Sequence, residues 1–228
     1  PQVFGGDSAR YIPKDYRFSS VTIAANSSTS ELVVNYPLSH HIWVYTKDKE
    51  WRSVSAKSDF LNTVDLLNRP TKEYQGREQL RRRELMEMYR YTGLFFNPYQ
   101  KIYYRICRLP IDYNKYKRAV NNREYKLYET FTVQVFNQSF VKISEAKFEA
   151  KGILFEQGSF VDEAGLWLLC PQKEGDEDFL TFQLLNLKTS YNLSEPLILN
   201  TTSFFLKTDG SFSVKSDTVC VNPLKSSA

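Results

Sequence analysis

The feature that most limits how this 228-residue chain can fold is internal repetition. Three stretches carry the same succession of four short strand-like segments. Repeats of this kind bury their apolar faces against neighbouring copies and not within themselves. The first, about 19–58, reads SSVTIAANSST, ELVVNYPLS, IWVYTKD and EWRSVSAKS. The second, about 91–148, reads YTGLFFNPY, KIYYRICRLP, FTVQVFNQ and SFVKISEAKF. The third, about 152–195, reads GILFEQGSFVDE, GLWLLCP, LTFQLLNLK and TSYNLSE.

Within each unit the segments differ in a consistent way. The second segments (from Leu32, Ile102 and Leu166) are nearly continuous apolar runs, as expected of strands covered on both faces. The third end at Asp48, Asn137 and Asn186, residue types that favour turns. The fourth carry Arg52, Lys57, Lys142, Glu145 and Lys147, charges that blunt an outer edge. With 15 Tyr and 16 Phe against 2 Met and 9 Gly, the composition also favours pleated, half-buried surfaces. The expected fold is all-β, a β-propeller-type array of about three four-stranded antiparallel blades. One inserted helix is expected over 73–90, where helix formers dominate and Leu80, Leu85, Met88 and Tyr89 recur at helical spacing. A second insertion, Ile111–Tyr128, separates two strands of the middle unit. Residues 1–195 are therefore assigned to blades, and 196–228 to a C-terminal hairpin or partial closing blade around Asp209-Gly210.

The middle unit carries a recognisable motif. Tyr91-Thr-Gly-Leu-Phe-Phe-Asn-Pro-Tyr-Gln-Lys-Ile-Tyr-Tyr-Arg resembles the Y-x-G-x-x-x-D-x-Y-x-x-x-Y-Y-R segment of an uncharacterised bacterial family of TolB-like six-bladed propellers. Asn97 stands where that pattern has an acid. The resemblance implies a cell-envelope protein, periplasmic or surface-exposed, anchored by lipid in a longer precursor. Three blades cannot close a ring of the usual 4–8, so the chain is expected to be the C-terminal half of a six-bladed propeller. A beginning at Pro1 in place of Met accords with that expectation.

Chemistry-bearing motifs are sparse. The formal charge of +4 is too small to imply nucleic acid, and Arg77 and Arg81–Arg83 are interleaved with Glu73, Glu78, Glu84 and Glu87. No segment has the apolar length of a transmembrane helix. Cys107, Cys170 and Cys220 show no metal-ligand spacing, and Cys107 and Cys170 sit in apolar runs that suit buried thiols. His40-His41 lies in a turn without ligand-spaced partners, so no metal and no cofactor is expected. The acidic loop Glu174–Asp178 lacks the calcium-loop pattern and is expected to be a solvated tip.

Two segments of opposite charge remain: +6 over Lys101–Lys126 (eight bases, two acids) and −6 over Glu156–Asp178 (seven acids, one lysine). Tyr103, Arg105 and Arg108 lie in the basic one, and Tyr and Arg are frequent recognition anchors. They are the candidate binding residues. Because alternate strand residues share a face, Tyr103 and Arg105 are expected opposite Ile102 and Ile106, the latter in the core. The expected function is a non-enzymatic binding or scaffold module for a protein, peptide or glycan. A glycan- or peptide-processing enzyme on the same scaffold is the alternative.

Overall fold

The computed structural model describes residues 21–61, 76–121, 128–151, 158–170, 180–187, 198–206 and 212–220. Short apolar runs at the start form an antiparallel meander, strand by strand in sequence order. Its members are β1 (Thr22–Asn26), β2 (Glu31–Asn35), β3 (His41–Tyr45) and β4 (Trp51–Ser55). A second meander contains β5 (Arg90–Asn97), β6 (Ile102–Arg108), β7 (Tyr128–Asn137) and β8 (Lys142–Lys151). Helix α1 (Glu78–Glu87) precedes β5, and α2 (Tyr113–Asn121) lies between β6 and β7. This first unit ends at Lys151, and a second begins at Gly152. The second contains one five-stranded antiparallel sheet: β9 (Phe160–Val161), β10 (Leu166–Cys170), β11 (Leu180–Leu187), β12 (Ile198–Leu206) and β13 (Phe212–Cys220). The fold is all-β, three antiparallel meanders with short helical insertions.

Side-chain oxygens set the tight reversals. Asn26 Oδ1 accepts from the Ser28 and Thr29 N–H groups, and Asn97 Oδ1 accepts from those of Tyr99 and Gln100. Four residues after each asparagine the backbone turns left-handed, at Ser30 (φ 57°) and Lys101 (φ 56°). The repeat thus extends to backbone geometry. Asn137 caps the β7–β8 turn through Ser139 and Val141, and Asp162 caps β9–β10 through Ala164 and Gly165. What this turn requires is an acceptor oxygen, which Asn and Asp supply equally. Asn97 supplies that oxygen at the position where the resembled motif has an acid.

The two meanders of the first unit pack face to face. Ala24, Val33, Ile42, Val44 and Ala56 meet Leu94, Phe96, Tyr103, Phe136 and Phe140 in one buried cluster. Phe140 keeps a left-handed backbone (φ 62°), uncommon for a bulky residue, with its ring stacked on Tyr103 at 4.8 Å. A second cluster of Leu61, Tyr89, Tyr91, Cys107 and Leu109 closes the helix-bearing end.

Three sequence expectations change. The helix placed over 73–90 is shorter, starting after Gly76, whose φ of +76° interrupts helical backbone. A second helix, α2, was not anticipated. Its signal was Asp112, whose Oδ1 accepts from the Lys115 N–H as an N-cap. In the third unit the strand beside β11 is Ile198–Leu206, paired from Leu180↔Leu206 to Leu187↔Leu199. The polar TSYNLSE segment expected there lies outside the described residues. Ile198, Thr201, Thr202, Phe204 and Phe205 are β-branched or aromatic and suit a strand better. β12 and β13 pair as an antiparallel hairpin within this sheet.

Candidate functional site

Arg105 is the polar centre of the first unit. It sits on β6, a strand buried from Tyr103 to Cys107, and its side chain has no exposed surface. Its Nε donates to Asn35 Oδ1 at 2.8 Å, Nη1 to the Ala56 carbonyl at 2.7 Å and Nη2 to the Ser39 carbonyl at 2.6 Å. The guanidinium also lies 3.5 Å from the centre of the Tyr91 ring, a cation–π contact. All these oxygens belong to the first meander. Burial pulls the guanidinium down to about 10, partly offset by Tyr91, so it stays charged at neutral pH.

The two faces of β6 are thus both covered, and the Tyr103–Arg105 side faces the first meander with no exposed surface. Tyr103 is fully buried, its hydroxyl accepts from Asn26 Nδ2 at 2.8 Å, and burial pushes it up to about 12. Arg108 is half-buried at the root of the α2 insertion, with Nη2 3.6 Å from Met86 Sδ. Of the three sequence candidates, only Arg108 lies at a rim.

The motif residues now have physical roles. Tyr91 supplies the ring under Arg105. Gly93 follows a register shift in β5, where a Cβ would lie 2.8 Å from Phe95 Cε2 and 3.2 Å from Ile106 Cδ1. Asn97 caps the turn, Tyr103 reaches Asn26, and Tyr104 donates to Gln100 Oε1. Only Tyr99 is well exposed, at 67%. This motif builds a joint between two sheets.

A second polar network lies beside the joint. Glu145 on β8 accepts from Ser58 Oγ through Oε1, and from the Asp59 N–H and Lys142 Nζ through Oε2. Gln134 donates to the Ala56 and Lys57 carbonyls. Together these groups hold the chain leaving β4 against the second meander.

His40 and His41 diverge. His41 is exposed, whereas His40 stacks on Tyr89 (ring centres 4.7 Å apart) and meets Tyr91 edge-on. The Tyr91 hydroxyl accepts from the Ser58 N–H and lies 2.9 Å from His40 Nδ1. Which of the two donates follows the His40 tautomer, and His40 Nε2 is a buried atom without a hydrogen-bond partner. Burial, then Lys57, Arg105 and His41, push His40 down to about 4 from 6.5. An unfolded chain takes up this proton first, so His40 costs stability progressively as pH falls from about 6.5 towards 4. Melting curves across that range should fall less steeply for His40→Gln than for the parent; identical slopes would refute the assignment.

Cys107 is a buried free thiol, pushed upward by burial and so unreactive. Among the described residues, no three His, Cys, Asp or Glu side chains gather as a metal set. No described helix is long and apolar enough to cross a membrane. The acidic loop Glu174–Asp178 lies outside the described residues.

No family model matches the chain, and no curated protein matches it in sequence. A solved structure does resemble it: a member of the DUF4221 family from Bacteroides vulgatus ATCC 8482, 26% identical with a TM-score of 0.54 over 68% of this chain. The chain spans only 42% of that structure's length. The likeness is to an all-β bacterial protein of an uncharacterised family.

Proposed function

We propose that this chain is part of a TolB-like β-propeller and serves as a non-enzymatic binding or scaffold module of the bacterial cell envelope. The ligand contact is the helix-bearing end of the first unit. In a meander, alternate connections emerge at opposite ends. The Asn26, Asn97 and Asn137 turns lie at one end; the β2–β3 loop, α1 and the α2 insertion lie at the other. The observation that carries the reading is α2 itself. It presents Lys115, Lys117 and Arg118 to solvent within four residues, on a helix capped by Asp112 and tied to α1 by the Ile111 N–H on the Met86 carbonyl (2.8 Å). Fixed cations on a rigid rim suit a carboxylated or sulfated glycan or an acidic peptide. The motif resemblance suggests the envelope setting, and the Bacteroides neighbour supports a bacterial origin.

The test is titration of a sulfated glycan and of polyglutamate into the parent and into a Lys115→Glu/Lys117→Glu/Arg118→Glu variant. The variant should lose at least about tenfold in affinity, with binding that weakens as salt rises. Stability should change little, since all three side chains are exposed. Equal binding by both proteins would sink the reading, and cleavage of either probe would favour a processing enzyme.

A further inference from the structure

The outer face of the first meander carries a row of apolar side chains that nothing described covers fully. Ile23 is 63% exposed, Leu32 45% and Trp51 42%, with Trp43 and Tyr45 half-buried among them. Register reveals what this face is. Aligning the capped turns superposes Asn26↔Glu31 on Asn97↔Ile102. The pair Leu32↔Tyr45 then corresponds to Tyr103↔Phe136, Val34↔Trp43 to Arg105↔Gln134, and Ile23↔Val34 to Leu94↔Arg105. The open face of the first meander is therefore the counterpart of the face through which the second meander docks onto the first.

We infer that this open face docks against a further antiparallel sheet of the same repeat, lying ahead of β1 in a longer polypeptide. The inference rests on the propeller reading above, and it holds whichever ligand the helix-bearing end takes. Chemistry narrows the occupant. At the two positions equivalent to Arg105 and Gln134 stand Val34 and Trp43, so this joint has no polar clasp and asks only for an apolar surface. By the same correspondence, that surface resembles the small and β-branched side of the first meander, where Val33, Ile42 and Val44 lie.

A second copy of the chain is a poor occupant. Its own Val33–Ile42–Val44 side, the complementary surface, is already filled by its second meander. Additional sheets are also in keeping with the related structure, of whose length this chain spans 42%.

The test uses Ile23→Cys, with maleimide labelling read at residue 23 by peptide mass so that native cysteines do not interfere. It compares the 228-residue chain with the complete polypeptide encoded by its reading frame. Labelling at least about tenfold slower in the complete protein, while that protein is monomeric, is the expected result. Equal rates would overturn the inference, as would protection that appears in the 228-residue chain with rising concentration, which would assign the face to a second copy. A Leu32→Arg substitution gives an independent reading. It should leave the shorter chain's melting temperature nearly unchanged and lower that of the complete protein by about 5 °C or more. No such difference would count against a covering sheet.

Discussion

Replacing Arg105 with alanine is expected to cost about 3–5 kcal/mol, enough to unfold much of a typical domain's margin. The side chain is fully buried and donates to one amide oxygen and two carbonyls. Truncation leaves those acceptors inside an apolar joint, at about 1–3 kcal/mol for each one that finds no replacement. The Ala56 carbonyl keeps a bond from Gln134, so Asn35 Oδ1 and the Ser39 carbonyl bear most of the loss. Arg105→Met fills the volume and should recover part of the packing but not the bonds. Arg105→Lys keeps the charge without the planar fork that reaches three acceptors, and should fall between parent and alanine. Urea denaturation of the three variants tests this order. A loss under about 1 kcal/mol for alanine would mean that water satisfies the joint and that Arg105 is free for other work.

The parts of the fold that were legible in the sequence are those dictated locally. The strands of the first two meanders fall where alternating or continuous apolar runs lie, because a pleated strand shows its faces every second residue. The β7–β8 turn was visible through Asn137, since an Asx oxygen caps a reversal without help from distant residues. Asp48 also falls in a turn, but there Thr46 Oγ1 accepts from the Glu50 N–H. Repetition then predicted like neighbours.

The misreadings have a shared cause, which is that sequence spacing says which residues share a face but not what covers it. Tyr103 and Arg105 do lie together on one face of β6, yet that face is the joint with another sheet. Whether an arginine is an anchor or a clasp depends on carbonyls from Ser39 and Ala56, 66 and 49 residues away. His40 does lie in the β2–β3 turn, but its enclosure was not legible, because Tyr89 and Tyr91, which surround it, come from the far side of the α1 insertion. In the third sheet the repeat template took the nearest segment as the fourth strand and assigned Ser203–Leu206, which pairs with β11, to the hairpin alone. Nothing local revealed Glu145 as more than an edge charge.

Glu145 should instead prove one of the costliest positions to change. Its side chain is only 2% exposed, and it gathers Ser58 Oγ and the Asp59 N–H from the chain leaving β4 and Lys142 Nζ from its own strand. Glu145→Ala removes the single acceptor that all three share, and a loss of about 2–4 kcal/mol is expected, since bonds to a charged group are the stronger kind. Lys142→Met should cost less: Glu145 keeps its other donors, and the lost ion pair with Asp59 lies near solvent, where such pairs contribute about 0–1 kcal/mol. The decisive measurement is a double-mutant cycle between Ser58→Ala and Glu145→Ala. Residues that bond directly should show a coupling of about 0.5–3 kcal/mol. Additive losses would mean that the chain leaving β4 is held by packing of Phe60 and Leu61 rather than by this carboxylate.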